Sequence, residues 1–423
     1  MAEALFAFGH DRLRTLLRGS SAIQTPCFVY DLDRAADRFR ALRRVLPPRV
    51  RLAYAVKSNP GAPLLQTFAE QGAWFDCASA GEIAQVLAIG ARGQEMVVAG
   101  PAKSDQDLRA AVYAGARVQV DGLEDVQRLA QMHHGPPLKV SVRVNPASPI
   151  TERSTIIGGG GPSAFGVDEE DLSDFVARAR AYDGVVITGL QVFAASNELD
   201  AAALLANHAT ALAIGRRLTY EHGICLDLID IGGGLGIRYA EADPELDIEA
   251  LGAGLNVLLQ ANEWFTGDLL LEPGRWLSGP CGVYAARVIR TKVSRGVRFA
   301  MLEGGINHLL RPLMTGQSFP TMALSDSDAT LSDAGALAAG DGIPDDMTSP
   351  FTLAGPLCTS LDRVGTGELP TDLAAGDVVV FGQAGAYAYT QAMTHFLSHP
   401  APEQHWLAGA DVVPRPAATA IRA

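Results

Sequence analysis

From Arg51 onward the chain alternates between two textures. Short β-branched or apolar runs are followed by Ala/Leu-rich stretches of helical period. Strands are predicted over RLAYAVKSN (51–59), WFDCAS (74–79), EMVVAG (95–100), RVQVDG (117–122), LKVSVRVNP (138–146), VVITGLQVF (185–193), LDLIDIGGG (226–234) and DLLLEPGR (268–275). Helices are predicted between them. In GEIAQVLAIGA, Ile83, Val86, Leu87 and Gly90 fall on one face; LEDVQRLAQM and the stretch from Asp200 to His222 have the same period. Strands and helices alternating over roughly 225 residues match a parallel (β/α)8 barrel of the TIM type. An open doubly wound sheet has the same periodicity and stays the alternative.

The texture changes after Arg275. VYAARVIRTKV, RFAMLEGG, SPFTLAG and DVVVFGQAG are strand-like, with turn residues between them, and predict a β-rich second domain. The run TPCFVYDLD (25–33) precedes the barrel pattern and is placed with that domain. The expected division is therefore a barrel over residues 34–275 and a β-rich domain over 276–423 together with 1–33. Residues 324–347 are acidic and rich in small side chains, and read as a loop.

Composition narrows the function. With 423 residues, 48% apolar and 19% charged, the chain suits about two globular domains. A net charge of -13 excludes a broad nucleic-acid surface and docking on anionic lipid. The five cysteines are odd in number and none are spaced C-x-x-C, which fits reduced thiols. The first twenty residues carry early charges and lack a long apolar core, so no leader or membrane span is expected and the setting is taken as cytoplasmic.

In a barrel of this kind, chemistry sits at the C-terminal ends of the strands. The polar residues found there are Lys57, Asp76, Ser79, Asp121, Arg143, Ser196, the run Gly232-Gly233-Gly234, Glu272 and Arg275. A partly buried lysine has a lowered pKa and supplies the neutral amine that a Schiff base needs; the plainer reading of Lys57 is a strand-end lysine reaching water. Three glycines let backbone N–H groups approach an anion, and the loops after strands seven and eight are the usual phosphate site of the fold; the plainer reading is a tight turn. Glu272, in the turn Glu272-Pro273-Gly274-Arg275, suits a carboxylate facing a pyridine nitrogen, and Arg275 suits phosphate or carboxylate. Cys358, in Gly-Pro-Leu-Cys, suits a proton donor, whereas Cys27, Cys77, Cys225 and Cys281 read as buried structural thiols. The histidines are scattered, and no metal site is assigned.

YAVKSNP, FDCASAGEI, FGV, DIGGGLG, LEPGRWL, GGINHLLRP, GPLCTSLD and GAYAYT occur in that order between Thr25 and Leu397. Each is short, but the ordered set is specific. Together they make the chain resemble the fold-type III pyridoxal phosphate decarboxylases, the group of diaminopimelate, ornithine and biosynthetic arginine decarboxylases. The resemblance implies that Lys57 holds pyridoxal phosphate as a Schiff base, with Asp76 beside it. It implies that Ser196, Gly232, Gly233 and Gly234 bind the phosphate with Gly274, Arg275 and Tyr387 nearby. Glu272 would pair with the pyridine nitrogen, and Cys358 would return the proton to Cα. It further implies a homodimer in which the Cys358 loop serves a second subunit, and that Arg311 and Thr359 contact the substrate.

The departures from the family pattern bear on the substrate. Phe193 stands where a stacking histidine is usual, and can stack but not hydrogen-bond. Thr359 replaces the acidic residue that follows the cysteine in free-diamine decarboxylases, and Thr315 replaces a tyrosine of the diaminopimelate type. A buried ammonium needs such partners. The expectation is therefore an α-decarboxylase of a modified or tethered amino acid, carrier-protein-bound or a siderophore precursor. The alternatives are a free diamino acid decarboxylase, an amino-acid racemase, and a non-catalytic homologue acting as a binding partner.

Overall fold

The computed structural model describes residues 5–19, 22–147, 161–193, 195–325 and 347–413. The chain divides into two compact units: Ala36–Ile237 with Glu245–Leu277, and Met1–Ala35 with Arg238–Pro244 and Ser278–Ala423. The first strand, β1 (Cys27–Asp31), lies in the latter unit. The former holds β2 (Val50–Ala55), β3 (Trp74–Cys77), β4 (Met96–Val98), β5 (Arg117–Val120), β6 (Leu138–Asn145), a two-residue β7 (Val167–Asp168), β8 (Val185–Val192), β9 (Leu228–Asp230) and β10 (Asp268–Leu271). Leaving aside β7, each of the eight pairs in parallel with its neighbours, from β2 round through β6, β8 and β9 to β10, and β10 pairs back with β2. The sheet is closed, which removes the doubly wound alternative.

Helices α1 (His10–Arg18) and α2 (Leu32–Val45) precede the barrel strands. Then α3 (Ala62–Glu70), α4 (Ala80–Ala88), α5 (Asp105–Ala114), α6 (Leu123–Met132), α7 (Leu172–Ala179), α8 (Ala201–His222) and α9 (Ile248–Ala261) fill the crossovers. Local chemistry sets their ends. Asp200 accepts from the N–H of Ala202 to open α8, and Gly223, at φ 63°, closes it. The face read across Gly81–Ala91 is shorter than expected. Helix α4 stops at Ala88, Gly90 lies beyond it at φ 84°, and Leu87 is 37% exposed; only Ile83 and Val86 of that face are buried. The glycine's left-handed backbone ends the period that the apolar spacing had suggested.

Strand alternation positions the polar residues. Ala53, Val97, Leu228 and Leu270 form one buried cluster, with Trp74 packed against it. Side chains two positions further on share that face. They are Asp76 after Trp74, Asp230 after Leu228 and Glu272 after Leu270.

The other unit is a sheet in the order β15-β14-β12-β11-β1-β17-β18, with β16 paired to β11 and β13 to β16. Its strands are β11 (Gly282–Ser294), β12 (Val297–Leu302), β13 (Thr321–Leu324), β14 (Thr348–Ala354), β15 (Arg363–Pro370), β16 (Val378–Phe381), β17 (Glu403–Ala408) and β18 (Asp411–Val413). Strand β1 runs antiparallel to β11 and parallel to β17, so residues near the start of the chain complete this sheet. The core beneath it includes Leu13, Val29, Val283, Val380 and Leu407. Helix α10 (Gly274–Ser278) follows β10, and α11 (Arg311–Thr315) follows β12. Of the segment read as an acidic loop, Leu324 closes β13, and residues 326–346 lie outside the described residues. Among the described residues no helix is long and apolar enough to cross a membrane.

Candidate active site

Lys57 does not end β2. The strand stops at Ala55, and Lys57 sits in a single 3-10 turn, Val56–Ser58. Hydrogen bonds fix the turn: Ser58 Oγ donates to Ala55 O at 2.7 Å and Tyr54 Oη to Asn59 O at 3.0 Å. Gly274 packs on the same turn, where an added Cβ would lie 2.8 Å from Ala55 Cβ and 3.0 Å from Ser58 Oγ. The Lys57 amine, partly exposed, donates to Asp76 Oδ2 at 2.6 Å. Asp76 is 1% exposed, and its Oδ1 has no hydrogen-bond partner. Glu82 on α4 accepts the Ala78 N–H at 2.6 Å, and burial raises its pKa to about 7, with Asp76 adding to the rise.

Two more carboxyl groups face the interior. Asp230 is fully buried; its Oδ2 accepts from Gln119 Nε2 at 2.6 Å and its Oδ1 from the Gly232 N–H at 2.9 Å. Burial raises its pKa to about 6. Glu272, also buried, is bonded to Asp230, and its pKa is raised well above the usual range by burial, then by Asp230 and Asp76. Glu272 Oε1 has no hydrogen-bond partner.

The glycine run lies against both neighbouring strand ends. Gly232 and Gly234 have φ of 70° and 91°, which disfavour any side chain. A Cβ on Gly233 would come within 2.2 Å of the Glu272 carbonyl, and one on Gly232 within 3.0 Å of the Phe193 ring. The loop after β8 is zipped to this run, with the Glu198 N–H donating to Gly234 O at 2.8 Å and the Gly236 N–H to Glu198 O at 2.8 Å. Ser196 is thereby brought beside the glycines, and buried Arg275 reaches Ser196 Oγ at 3.5 Å.

The structure thus gathers Lys57, Asp76, Ser196, Gly232, Gly233, Gly234, Glu272, Gly274 and Arg275 at one end of the barrel. An amine, an orphaned buried carboxyl oxygen and a cradle of backbone N–H groups suit a ligand with a carbonyl, a basic nitrogen and an anionic group. Asp121 plays a different part. Its carboxylate ties the buried Lys103 amine at 2.7 Å and the Gly166 N–H at 2.8 Å, with Asp125 on the same amine at 2.8 Å. Sequence reasoning passed over Gln119, Asp230 and Glu82. The signal was present for the first two, as polar residues interrupting the apolar strands RVQV and LIDI.

The β-rich unit holds the remaining candidates. The Arg311 guanidinium, 6% exposed, lies 5.8 Å from the Tyr387 ring centroid. Cys358 is exposed, and Thr359 Oγ1 accepts from the Leu361 N–H at 3.3 Å. Their loop is held by Asp362, 3% exposed, which accepts from the N–H groups of Leu357 at 2.7 Å and Ile306 at 2.8 Å. Of the thiols read as buried, Cys27, Cys77 and Cys281 are so. Cys225 is exposed, because it lies in the turn beyond α8 and not in the strand that follows.

Residues 32–279 match the family profile described as "Pyridoxal-dependent decarboxylase, pyridoxal binding domain". Among curated proteins, L-glutamyl-[BtrI acyl-carrier protein] decarboxylase of Niallia circulans is 27% identical, over 90% of this chain and 88% of the relative. Diaminopimelate decarboxylase of Deinococcus radiodurans is 30% identical, over 92% of this chain and 91% of the relative. Among solved structures, diaminopimelate decarboxylase from Helicobacter pylori complexed with L-lysine superimposes with a TM-score of 0.80 at 23% identity, covering 92% of this chain and 93% of that one.

Proposed function

The chain belongs to the pyridoxal-dependent decarboxylases, and from that premise we propose that it decarboxylates an amino acid whose distal end is modified or tethered, with a carrier-protein-bound glutamyl group as the favoured form. It is a pyridoxal phosphate-dependent carboxy-lyase acting on an amino-acid-like substrate. The barrel residues fit the cofactor: the Lys57 amine for its aldehyde, the orphaned Glu272 oxygen for its ring nitrogen, and a cradle where any Cβ would clash for its phosphate. When bound, the cofactor supplies an electron sink for the pair left at Cα as CO2 departs.

The chain's own residues do the rest. Lys57 anchors the cofactor and Asp76 orients its amine. The loop Gly232-Gly233-Gly234 seats the phosphate through the N–H groups of Gly233 and Gly234, with Ser196 and Arg275, while the Gly232 N–H is held by Asp230 and shapes the turn; Tyr387 is a further contact. Phe193, beside Gly232, offers an apolar ring face. Cys358 supplies the proton to Cα; its exposed thiol on a loop pinned by Asp362 suits delivery to the site of a second copy of the chain, and the proposal includes a homodimer. Arg311 and Thr359 meet the distal part of the substrate. The setting proposed is the cytoplasm, in keeping with five free cysteines.

The observation that carries the substrate reading is the character of the Cys358 loop. Thr359 caps its own turn and brings no carboxylate, while Arg311, a buried cation of that unit, favours an anionic or neutral distal group over an ammonium. The relative from Niallia circulans, named for a carrier-bound glutamyl substrate, supports it. The test is a mass-spectrometric screen for CO2 loss from glutamyl-carrier protein, citryl-diaminopropionate, ornithine, lysine, arginine and diaminopimelate. Strong turnover of a free diamino acid would overturn the reading in favour of the function named for the Deinococcus radiodurans relative.

A further inference from the structure

Two carboxyl groups cannot hydrogen-bond to each other unless one of them carries a proton. Asp230 and Glu272 make such a bond inside the barrel, 0% and 5% exposed. Asp230 already accepts two amide N–H groups, from Gln119 and from Gly232. Those donors favour its ionised form, so the proton resides on Glu272. That bond uses one face of the Glu272 carboxyl group, and its Oε1 has no N–H donor among the described residues. The remaining charged groups acting on the pair are Asp76 and Lys57, which neutralise each other at 2.6 Å, and Glu82 lies beside those two.

We propose that Asp230 is a positioning residue that keeps Glu272 protonated in the cofactor-free chain, and that Glu272 hands this proton to the ring nitrogen that docks on it. The idea rests on reading Glu272 as the partner of that nitrogen. A half-turn of the carboxyl group brings its O–H to the nitrogen. The O–H bond breaks with its electron pair left on oxygen, the N–H bond forms, and ionised Glu272 accepts it. Asp230 stays ionised on its two amides, so the ring is protonated without drawing a proton from water. The same aspartate fixes the first glycine of the loop, which ties the acid end of the site to the anion end through one side chain.

The test uses the full chain stripped of cofactor. Difference infrared spectroscopy should show a protonated-carboxyl C=O band at neutral pH in wild type that is absent in Glu272→Gln. It should also vanish in Asp230→Asn, whose amide donates to Glu272 and lets it ionise. That variant has a route to folding. Gln119 Oε1 is without a partner, so a flipped Gln119 amide accepts from the new Nδ2 while the Gly232 N–H keeps its acceptor. Calorimetry of pyridoxal phosphate binding in buffers of different ionisation enthalpy then counts protons. Asp230→Asn should take up about one more proton per site than wild type. Absence of the band in wild type, or equal proton counts, overturns the proposal. If the band is present but pyridoxal phosphate fails to bind wild type, the hand-over fails together with the cofactor reading, while the shared proton stands. If Asp230→Asn does not fold, wild type against Glu272→Gln still decides whether the proton is there.

Discussion

The end of the barrel and the Cys358 loop both offer candidate chemistry, but they hold it by opposite means. At the barrel, the groups with chemical potential are each other's structural partners: Lys57 on Asp76, Glu272 on Asp230, Asp230 on the glycine loop. In the β-rich unit the thiol stands exposed, and a different residue, Asp362, bears the structural load. Burial shifts protonation only where the functional group is itself buried. The barrel can therefore tune its acids, at the cost that any substitution there disturbs charge balance. The loop can lose its thiol with little structural consequence.

The largest expected effect is at Lys57. Lys57→Ala should remove nearly all decarboxylation, measured as CO2 release, together with the cofactor's visible absorption. It also leaves the buried Asp76 carboxylate without its cation, so a lower melting temperature should accompany the loss. Glu272→Ala comes next, with a loss of roughly 10^2-fold or more in kcat, because the ring nitrogen loses its carboxyl partner. Full activity in either variant would break the assignment of the barrel site.

The β-rich unit should separate what the barrel couples. Asp362→Ala strips two backbone N–H groups of their acceptor and should cost about 1–3 kcal/mol per orphaned group, read by urea unfolding. Cys358→Ala should leave stability within about 0.5 kcal/mol of wild type while slowing turnover less than the barrel variants do. If both substitutions instead lowered stability alike, the thiol would be part of the loop's packing and the contrast would fail.

The same difference explains what was legible in the sequence. Eight barrel strands could be read because a strand buried on both faces is a near-continuous apolar run, and the residue that interrupts it is conspicuous. Closure could not be read, since β10 returning to β2 is a pairing between distant segments that periodicity does not encode. Strands β13, β15, β17 and β18 gave little signal: RVGTGELP carries two glycines and a proline, and EQHWLA is half polar. Lys57, Glu272 and the glycine run were found from residue type and position. Asp230 and Gln119 were missed because their role lies in a bond across the barrel interior, between β5 and β9, strands that do not pair.

Two buried histidines give the smallest and sharpest form of the contrast. His208 on α8 is 1% exposed, its Nδ1 lacks a partner, and burial lowers its pKa to about 4. His308 in the β-rich unit is likewise lowered to about 4, yet both its nitrogens are used. Its Nε2 faces the Pro400 carbonyl at 3.0 Å and must donate, so Nδ1 accepts from Tyr284 Oη at 2.9 Å. In each case the folded state refuses a proton that the unfolded chain, with a histidine pKa near 6.5, takes up readily. Stability is therefore intact above that value and falls as pH drops from there through about 4. Near pH 5.5 each histidine should cost about 1 kcal/mol relative to neutral pH, as measured by urea unfolding at the two pH values. Leucine at either position should remove that acid-dependent part. At neutral pH the two substitutions should diverge: His208→Leu is tolerated, because it buries no new polar group, whereas His308→Leu leaves the Tyr284 hydroxyl and the Pro400 carbonyl without partners and destabilises the protein. An acid response unchanged in His208→Leu would mean that the barrel helix opens to admit the proton before the protein unfolds.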